Sequence, residues 1–121
     1  MIIVTGGAGC IGSAIVWALN KRGIKDIILV DGVDHPEKKK NIALLNYFAL
    51  EGKEIFLDRI KNIKIPWSID AIIHLGGCSS TIERNESFLT KTNFDYTRCL
   101  ATYALNKDIR FIYASSAATY G

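Results

Sequence analysis

Ile2-Ile3-Val4-Thr5-Gly6-Gly7-Ala8-Gly9-Cys10-Ile11-Gly12-Ser13 decides how this chain folds. Ile2, Ile3 and Val4 are apolar and β-branched, which suits a short strand buried in a sheet. The glycines that follow allow a sharp turn. Ile11 to Ala18 then begins a helix, with apolar residues at 11, 15, 16 and 19 on one face. Strand, turn and helix in this order aim free backbone N–H groups and the positive end of a helix dipole at the turn, where a phosphate is favoured. Gly6, Gly9 and Gly12 then have separate uses: one permits the turn, one lets backbone approach a pyrophosphate, and one lets helix pack on strand. Without a ligand the same stretch is only a glycine-rich turn.

Working outward, Ile27 to Val30 is a second apolar strand, and Asp31 closes it about 20 residues beyond the turn, where an acidic residue is expected to meet a ribose. Between them Lys21-Arg22-Gly23 ends the first helix, with glycine suited to a left-handed cap. Gly32 to Lys40 is polar, contains His35-Pro36, and reads as a surface loop. Ile42 to Phe48 reads as a strand, with a helix reaching Leu50 as the alternative. Glu54 to Ile60 has helical spacing, and Ile69 to Leu75 is a fourth buried strand.

Gly76-Gly77-Cys78-Ser79-Ser80-Thr81 follows that strand, and its small residues either admit a ligand to the backbone or make a plain turn. Phe88 to Leu105 is a long helix containing Asn93, which faces either solvent or a neighbouring strand. Ile109 to Tyr113 is the fifth strand. Strands alternating with helices imply an α/β fold: a doubly wound parallel sheet of the Rossmann type, one domain over residues 1–121, truncated after about five strands.

Composition narrows the function classes. The 121 residues carry a net charge of +3, and basic residues are scattered apart from Lys38-Lys39-Lys40, so nothing points to nucleic acid. That triple is a solvated loop unless it meets phosphate. No apolar run reaches the roughly 18 residues of a membrane span, and Met1 leads straight into a core strand, so a cytoplasmic protein without a membrane partner is expected. Cys10, Cys78 and Cys99 lack metal-ligand spacing and read as small buried side chains, with a reactive thiol as the alternative. No metal site is expected.

Three segments together carry a resemblance: Thr5 to Ser13, His74 to Thr81, and Tyr113-Ala114-Ser115-Ser116-Ala117-Ala118-Thr119-Tyr120-Gly121. They resemble the extended short-chain dehydrogenase/reductases that modify nucleotide sugars, the NAD-dependent epimerase/dehydratase group. The Gly77-Cys78-Ser79-Ser80-Thr81 run and the last nine residues are most similar to members that epimerise an ADP-heptose for the lipopolysaccharide core. The resemblance implies an isomerase using NADP, with NAD as the alternative, by transient hydride transfer. Other nucleotide-sugar epimerases, 4,6-dehydratases and a dinucleotide-binding module without turnover stay open beside it.

The resemblance also implies roles. Gly6, Gly9, Cys10, Ile11 and Gly12 would line the pyrophosphate. Asp31 and Gly32 would meet the adenosine ribose, and Lys38 and Lys53 its 2′-phosphate. Leu75, Gly76, Gly77, Cys78, Ser79 and Asn93 would border ribose and nicotinamide, and Ser116 would be catalytic, hydrogen-bonding the reacting sugar oxygen. The nucleotide sugar would be the partner, and the full-length enzyme a homo-oligomer. Cys10 replaces the family's usual phenylalanine, Leu75 stands where an acidic residue is common, and Tyr47-Phe48-Ala49 lacks the aspartate often found near adenine. The resemblance puts the family's catalytic Tyr-x-x-x-Lys pair some residues beyond Gly121, so the sequence reads as an amino-terminal part. Asp31 alone favours NAD, because a carboxylate accepts from a 2′-hydroxyl and repels a 2′-phosphate, whereas the lysines favour NADP.

Overall fold

The computed structural model describes residues 1–32, 36–75 and 86–113, with residues 86–94 in backbone only. The elements in chain order are β1 (Ile2–Thr5), α1 (Cys10–Lys21), β2 (Ile27–Val30), α2 (Pro36–Ile42), β3 (Ala49–Glu51), α3 (Lys53–Asn62), β4 (Ala71–His74), α4 (Glu86–Asn106) and β5 (Arg110–Tyr113). The strands form one five-stranded sheet in the order β3-β2-β1-β4-β5, and all neighbours are parallel. Strand order reverses between β1 and β4, and such a switch point opens a crevice at the carboxyl ends of the strands.

Both faces of the sheet are covered, which is why β2 has no polar residue among Ile27, Ile28, Leu29 and Val30, all buried. Ile3, Ile28, Val30 and Ile72 pack on Phe56 and Ile60 of α3 and on Tyr96, Leu100 and Ala104 of α4. Val4, Ile27 and Leu29 face the other way, onto Val16 of α1, Ile42 of α2, Ala8 and Leu75. Helix α1 ends as its sequence suggests: Gly23 has φ +83°, and the Ile24 N–H reaches back to the Leu19 carbonyl at 3.0 Å.

Four expectations are corrected. Residues 36–42 form a helix rather than a loop, because Pro36 suits a first helical turn and Glu37 and Lys39-Lys40 lie at the dipole ends that favour them. Ile42 to Phe48 is not a strand. Ile42 ends α2 under α1, Leu44 is 95% exposed and Phe48 is 61% exposed, so the apolar run has no buried face to alternate on. Asn20 bonds both the carbonyl and the N–H of Asn46, and β3 pairs only from Ala49. Cys10 is exposed at the mouth of α1 and Cys99 is half-buried, so neither is a core side chain. Ile11, expected on the buried face of α1, is 58% exposed.

Candidate functional site

The turn after β1 is shaped by its own packing at three glycines and not at a fourth. Gly6 has φ +70°, a left-handed backbone, and donates its N–H to the Val30 carbonyl at 2.8 Å. A Cβ on Gly12 would lie 2.1 Å from the Gly6 carbonyl oxygen, and one on Gly7 would lie 2.7 Å from Leu29 Cδ2. Gly9 differs. Its backbone is ordinary extended chain, and among the described residues a Cβ there would meet only the Gly6 oxygen at 3.5 Å, a normal contact. Nothing among the described residues requires glycine at position 9, and a bare backbone there leaves room for a ligand.

Gly9 also precedes α1 without a side chain to cap it. The first intrahelical bond is Ser13 N–H to the Gly9 carbonyl at 2.9 Å, so the N–H groups ahead of it face the mouth of the turn. No acidic residue lies in that first turn. An anion suits this arrangement, since it would satisfy the free donors and the dipole together.

Asp31 is tied down. Its Oδ2 accepts from the Ala8 N–H at 3.0 Å, and its Oδ1 accepts from the Gly32 N–H at 2.7 Å and from Lys38 Nζ at 2.8 Å. Asn41 Nδ2 donates to the Ala8 carbonyl at 2.9 Å. Ala8 is thus held at both its N–H and its carbonyl, by Asp31 at the end of β2 and by Asn41 of α2, so the turn is braced by the protein's own bonds.

Lys53 opens α3, behind an uncapped Gly52. Its Nζ lies 4.6 Å from the centroid of the Tyr96 ring, and burial lowers its pKa, with Glu54 opposing. Tyr96 is 4% exposed, and its buried hydroxyl has no hydrogen-bond partner among the described residues. Burial, then the charge of Asp31, raises the pKa of that hydroxyl.

His74 ends β4 in full burial. Leu75 N–H donates to Thr5 Oγ1 at 3.0 Å, Thr5 Oγ1 lies 2.6 Å from His74 Nδ1, and Nε2 lies 2.9 Å from Thr97 Oγ1. A neutral imidazole that accepts a hydrogen bond from the Thr5 hydroxyl at Nδ1 and donates its Nε2–H to Thr97 Oγ1 gives both nitrogens a partner. Burial first, and the charge of Lys53 second, push its pKa down to about 4, so the ring stays neutral.

Of the expected site residues, Gly6, Gly9, Cys10, Ile11, Gly12, Asp31, Gly32, Lys38, Lys53 and Leu75 gather where β1, β2, β3 and β4 end. Leu75 is buried, against Gly6. Gly76, Gly77, Cys78, Ser79, the Asn93 side chain and Ser116 lie outside the described residues. Sequence reasoning missed Ala8, Asn41, Thr5, His74, Tyr96 and Thr97. Only a histidine closing an apolar strand was a local signal, because it must find partners when buried. Among the described residues no cluster of His, Cys, Asp and Glu could hold a metal, and no helix is long and apolar enough to cross a membrane.

The model of the NAD dependent epimerase/dehydratase family matches residues 2–121. The ADP-L-glycero-D-manno-heptose-6-epimerase of Nitratidesulfovibrio vulgaris is 47% identical over 121 residues, all of this chain and 38% of its own length. The enzyme of that name from Fusobacterium nucleatum is also 47% identical, with 36% of its length covered. Among solved structures, the UDP-Glc/GlcNAc 4-epimerase of Campylobacter jejuni superposes with a TM-score of 0.74 at 25% identity, over 99% of this chain and 38% of that one. The UDP-glucose 4-epimerase of Thermotoga maritima with UDP-glucose gives 0.71 at 27% identity, over 93% and 36%. The chain therefore spans little more than a third of the length of these relatives.

Proposed function

The chain belongs to the NAD dependent epimerase/dehydratase family, and from that premise we propose that residues 1–121 are the dinucleotide-binding domain of a nucleotide-sugar epimerase acting on an ADP-heptose. The heptose assignment rests on the 47% identity to two enzymes of that name. The observation that carries dinucleotide binding is Gly9, a glycine that neither its backbone angle nor its neighbours demand, at the mouth of an uncapped helix.

Gly6, Gly9, Cys10, Ile11 and Gly12 hold the pyrophosphate with backbone N–H groups, and Asp31 and Gly32 border the adenosine ribose. Leu75, Gly76, Gly77, Cys78, Ser79 and Asn93 border the nicotinamide half, and Ser116 bonds the reacting sugar oxygen. When bound, the nicotinamide supplies hydride transfer, and the chain supplies binding and orientation. NADP is the proposed cofactor. Lys38 neutralises Asp31, and Lys53 adds an exposed ammonium that has no ion pair among the described residues. A charge-assisted hydrogen bond of this kind is worth about 1.5 to 3 kcal/mol.

Calorimetric titration with NADP tests the binding reading. The 121-residue chain should bind, and Gly9→Val should stay folded and bind about tenfold more weakly or worse, a loss of about 1.4 kcal/mol. Equal affinity would remove the assignment. Turnover of ADP-heptose is not expected of these residues alone, since a positioned proton carrier is commonly worth about 10² to 10⁴ in rate and the resemblance puts the family's catalytic Tyr-x-x-x-Lys pair beyond residue 121; Tyr103 and Lys107 have that spacing but lie at the end of α4. Epimer accumulation at an enzyme-like rate would contradict that.

A further inference from the structure

We propose that Tyr96 is a positioning residue whose ring holds the Lys53 ammonium at the carboxyl edge of the sheet, so that Lys53, rather than Lys38, sets the preference for a dinucleotide bearing a 2′-phosphate. This rests on the dinucleotide reading above and adds to it a residue and a division of labour between two lysines.

Lys53 stands where a lysine is locally disfavoured. It is at the first residue of α3, whose N-terminal dipole end repels a cation, and Gly52 before it supplies no cap. Its side chain is exposed, yet desolvation acts against its charged form. A side chain that breaks local preferences without an internal ion pair is the pattern of a group kept for a ligand. Its one described contact is the face of Tyr96, with Nζ 4.6 Å from the ring centroid.

That ring cannot turn aside. Tyr96 packs among Ile3, Ile28, Val30 and Phe56, and His74 meets it edge-on at 5.1 Å between centroids. A cation over a fixed aromatic face keeps its charge while losing the freedom of a long side chain, so less ordering remains when an anion binds. The Tyr96 hydroxyl takes no part, having no hydrogen-bond partner among the described residues, so the ring alone should suffice. Lys38 is in the opposite condition. It is bonded to Asp31 Oδ1 at 2.8 Å, so its charge is already offset and a phosphate meets the pair rather than an unpaired cation. Lys53 has no comparable bond to lose, so the gain from adding a 2′-phosphate falls mainly on it.

The test is the ratio of NADP to NAD affinity, measured by calorimetry on the 121-residue chain. Wild type should favour NADP. Tyr96→Phe should keep that ratio within about twofold, Tyr96→Met should lower it about fivefold with NAD affinity nearly unchanged, and Lys53→Met should lower it about tenfold. Lys38→Met should weaken both cofactors by similar factors. A Tyr96→Met ratio equal to wild type, or a Lys38→Met ratio that falls as far as that of Lys53→Met, overturns the proposal. If wild type binds neither dinucleotide, the underlying reading falls with it; if both bind and the ratios do not move, only the Tyr96 proposal falls. Should Tyr96→Met fail to fold, proton NMR of wild type and Tyr96→Phe decides: the Lys53 ε-methylene must be shifted upfield by the ring in both, and an unshifted resonance overturns the assignment.

Discussion

At the end of β1 the two neighbouring strands treat their polar groups in opposite ways. On the β2 side, the Asp31 side chain is 11% exposed and Lys38 38%, with bonds that a ligand can reach and exchange. On the β4 side, His74 is sealed from solvent, bonded to Thr5 and Thr97 and stacked near Tyr113 at 5.4 Å. The difference separates recognition from support. The β2 side presents charges to whatever binds, while the β4 side uses a neutral ring to lock β1, β4 and α4 at one height.

The largest effect that would sharpen this comparison lies at the turn itself. Gly12→Ala sets a methyl 2.1 Å from the Gly6 carbonyl oxygen and 2.7 Å from Gly7 Cα, so the backbone must move. Urea unfolding should show a loss of about 3 kcal/mol or more. Stability within about 0.5 kcal/mol of wild type would mean that α1 does not approach β1 as closely as described.

His74 supplies the next test through pH. Its pKa is about 4 in the fold against an ordinary 6.5. Above 6.5 both folded and unfolded chains hold it neutral. As pH falls from 6.5 towards 4 the unfolded chain takes up a proton that the folded chain refuses, so stability declines, by on the order of 3 kcal/mol across that window. Unfolding curves between pH 7.5 and 4.5 should lose most of this slope in His74→Gln. An unchanged slope in the variant would make other groups responsible and break the contrast between the two sides.

Smaller, and of opposite signs, is Gly9→Ser. A serine there can cap α1, adding about a few tenths of a kcal/mol of stability, while its hydroxyl occupies the N–H groups proposed for phosphate and costs about tenfold in NADP affinity. Stability and affinity moving together would argue that Gly9 is structural after all. Smallest is Lys38→Met, since a partly exposed ion pair is worth about 1 kcal/mol or less. Thermal unfolding should register it weakly, and a large loss would mean that Asp31 needs Lys38 to hold Ala8.

The sheet was legible because buried strands announce themselves. Ile27 to Val30 is apolar throughout, and the turn from Gly6 to Gly12 has a spacing that only a strand and helix at its ends would use. The β2-to-β3 crossover was not legible. Pro36 serves a helix start as readily as a loop, and Leu44 and Phe48 are apolar yet exposed, so composition misled where packing decided. The gathering of Gly9, Asp31, Lys38 and Lys53 followed from topology, since parallel strands bring their carboxyl ends to one edge. The bonds between them did not. Asn41 reaches Ala8 across 33 residues and His74 reaches Thr5 across 69, and nothing local marks either pair. Nothing in the sequence around Tyr96 shows that its ring lies beneath Lys53.

Placing β1 at the centre of the sheet also bears on the order of events as the chain folds. Ile2 finds Ile27 across 25 residues but finds Ala71 only across 69, and closing the longer loop costs about 1 kcal/mol more in chain entropy. Pairing with β2 should therefore come first, and it brings Gly6 onto the Val30 carbonyl and Ala8 onto Asp31 within the first 31 residues. The anion-facing turn would be in place while β4 is still unpaired, and amides of β1 should become the slowest to exchange hydrogen only once that second neighbour docks.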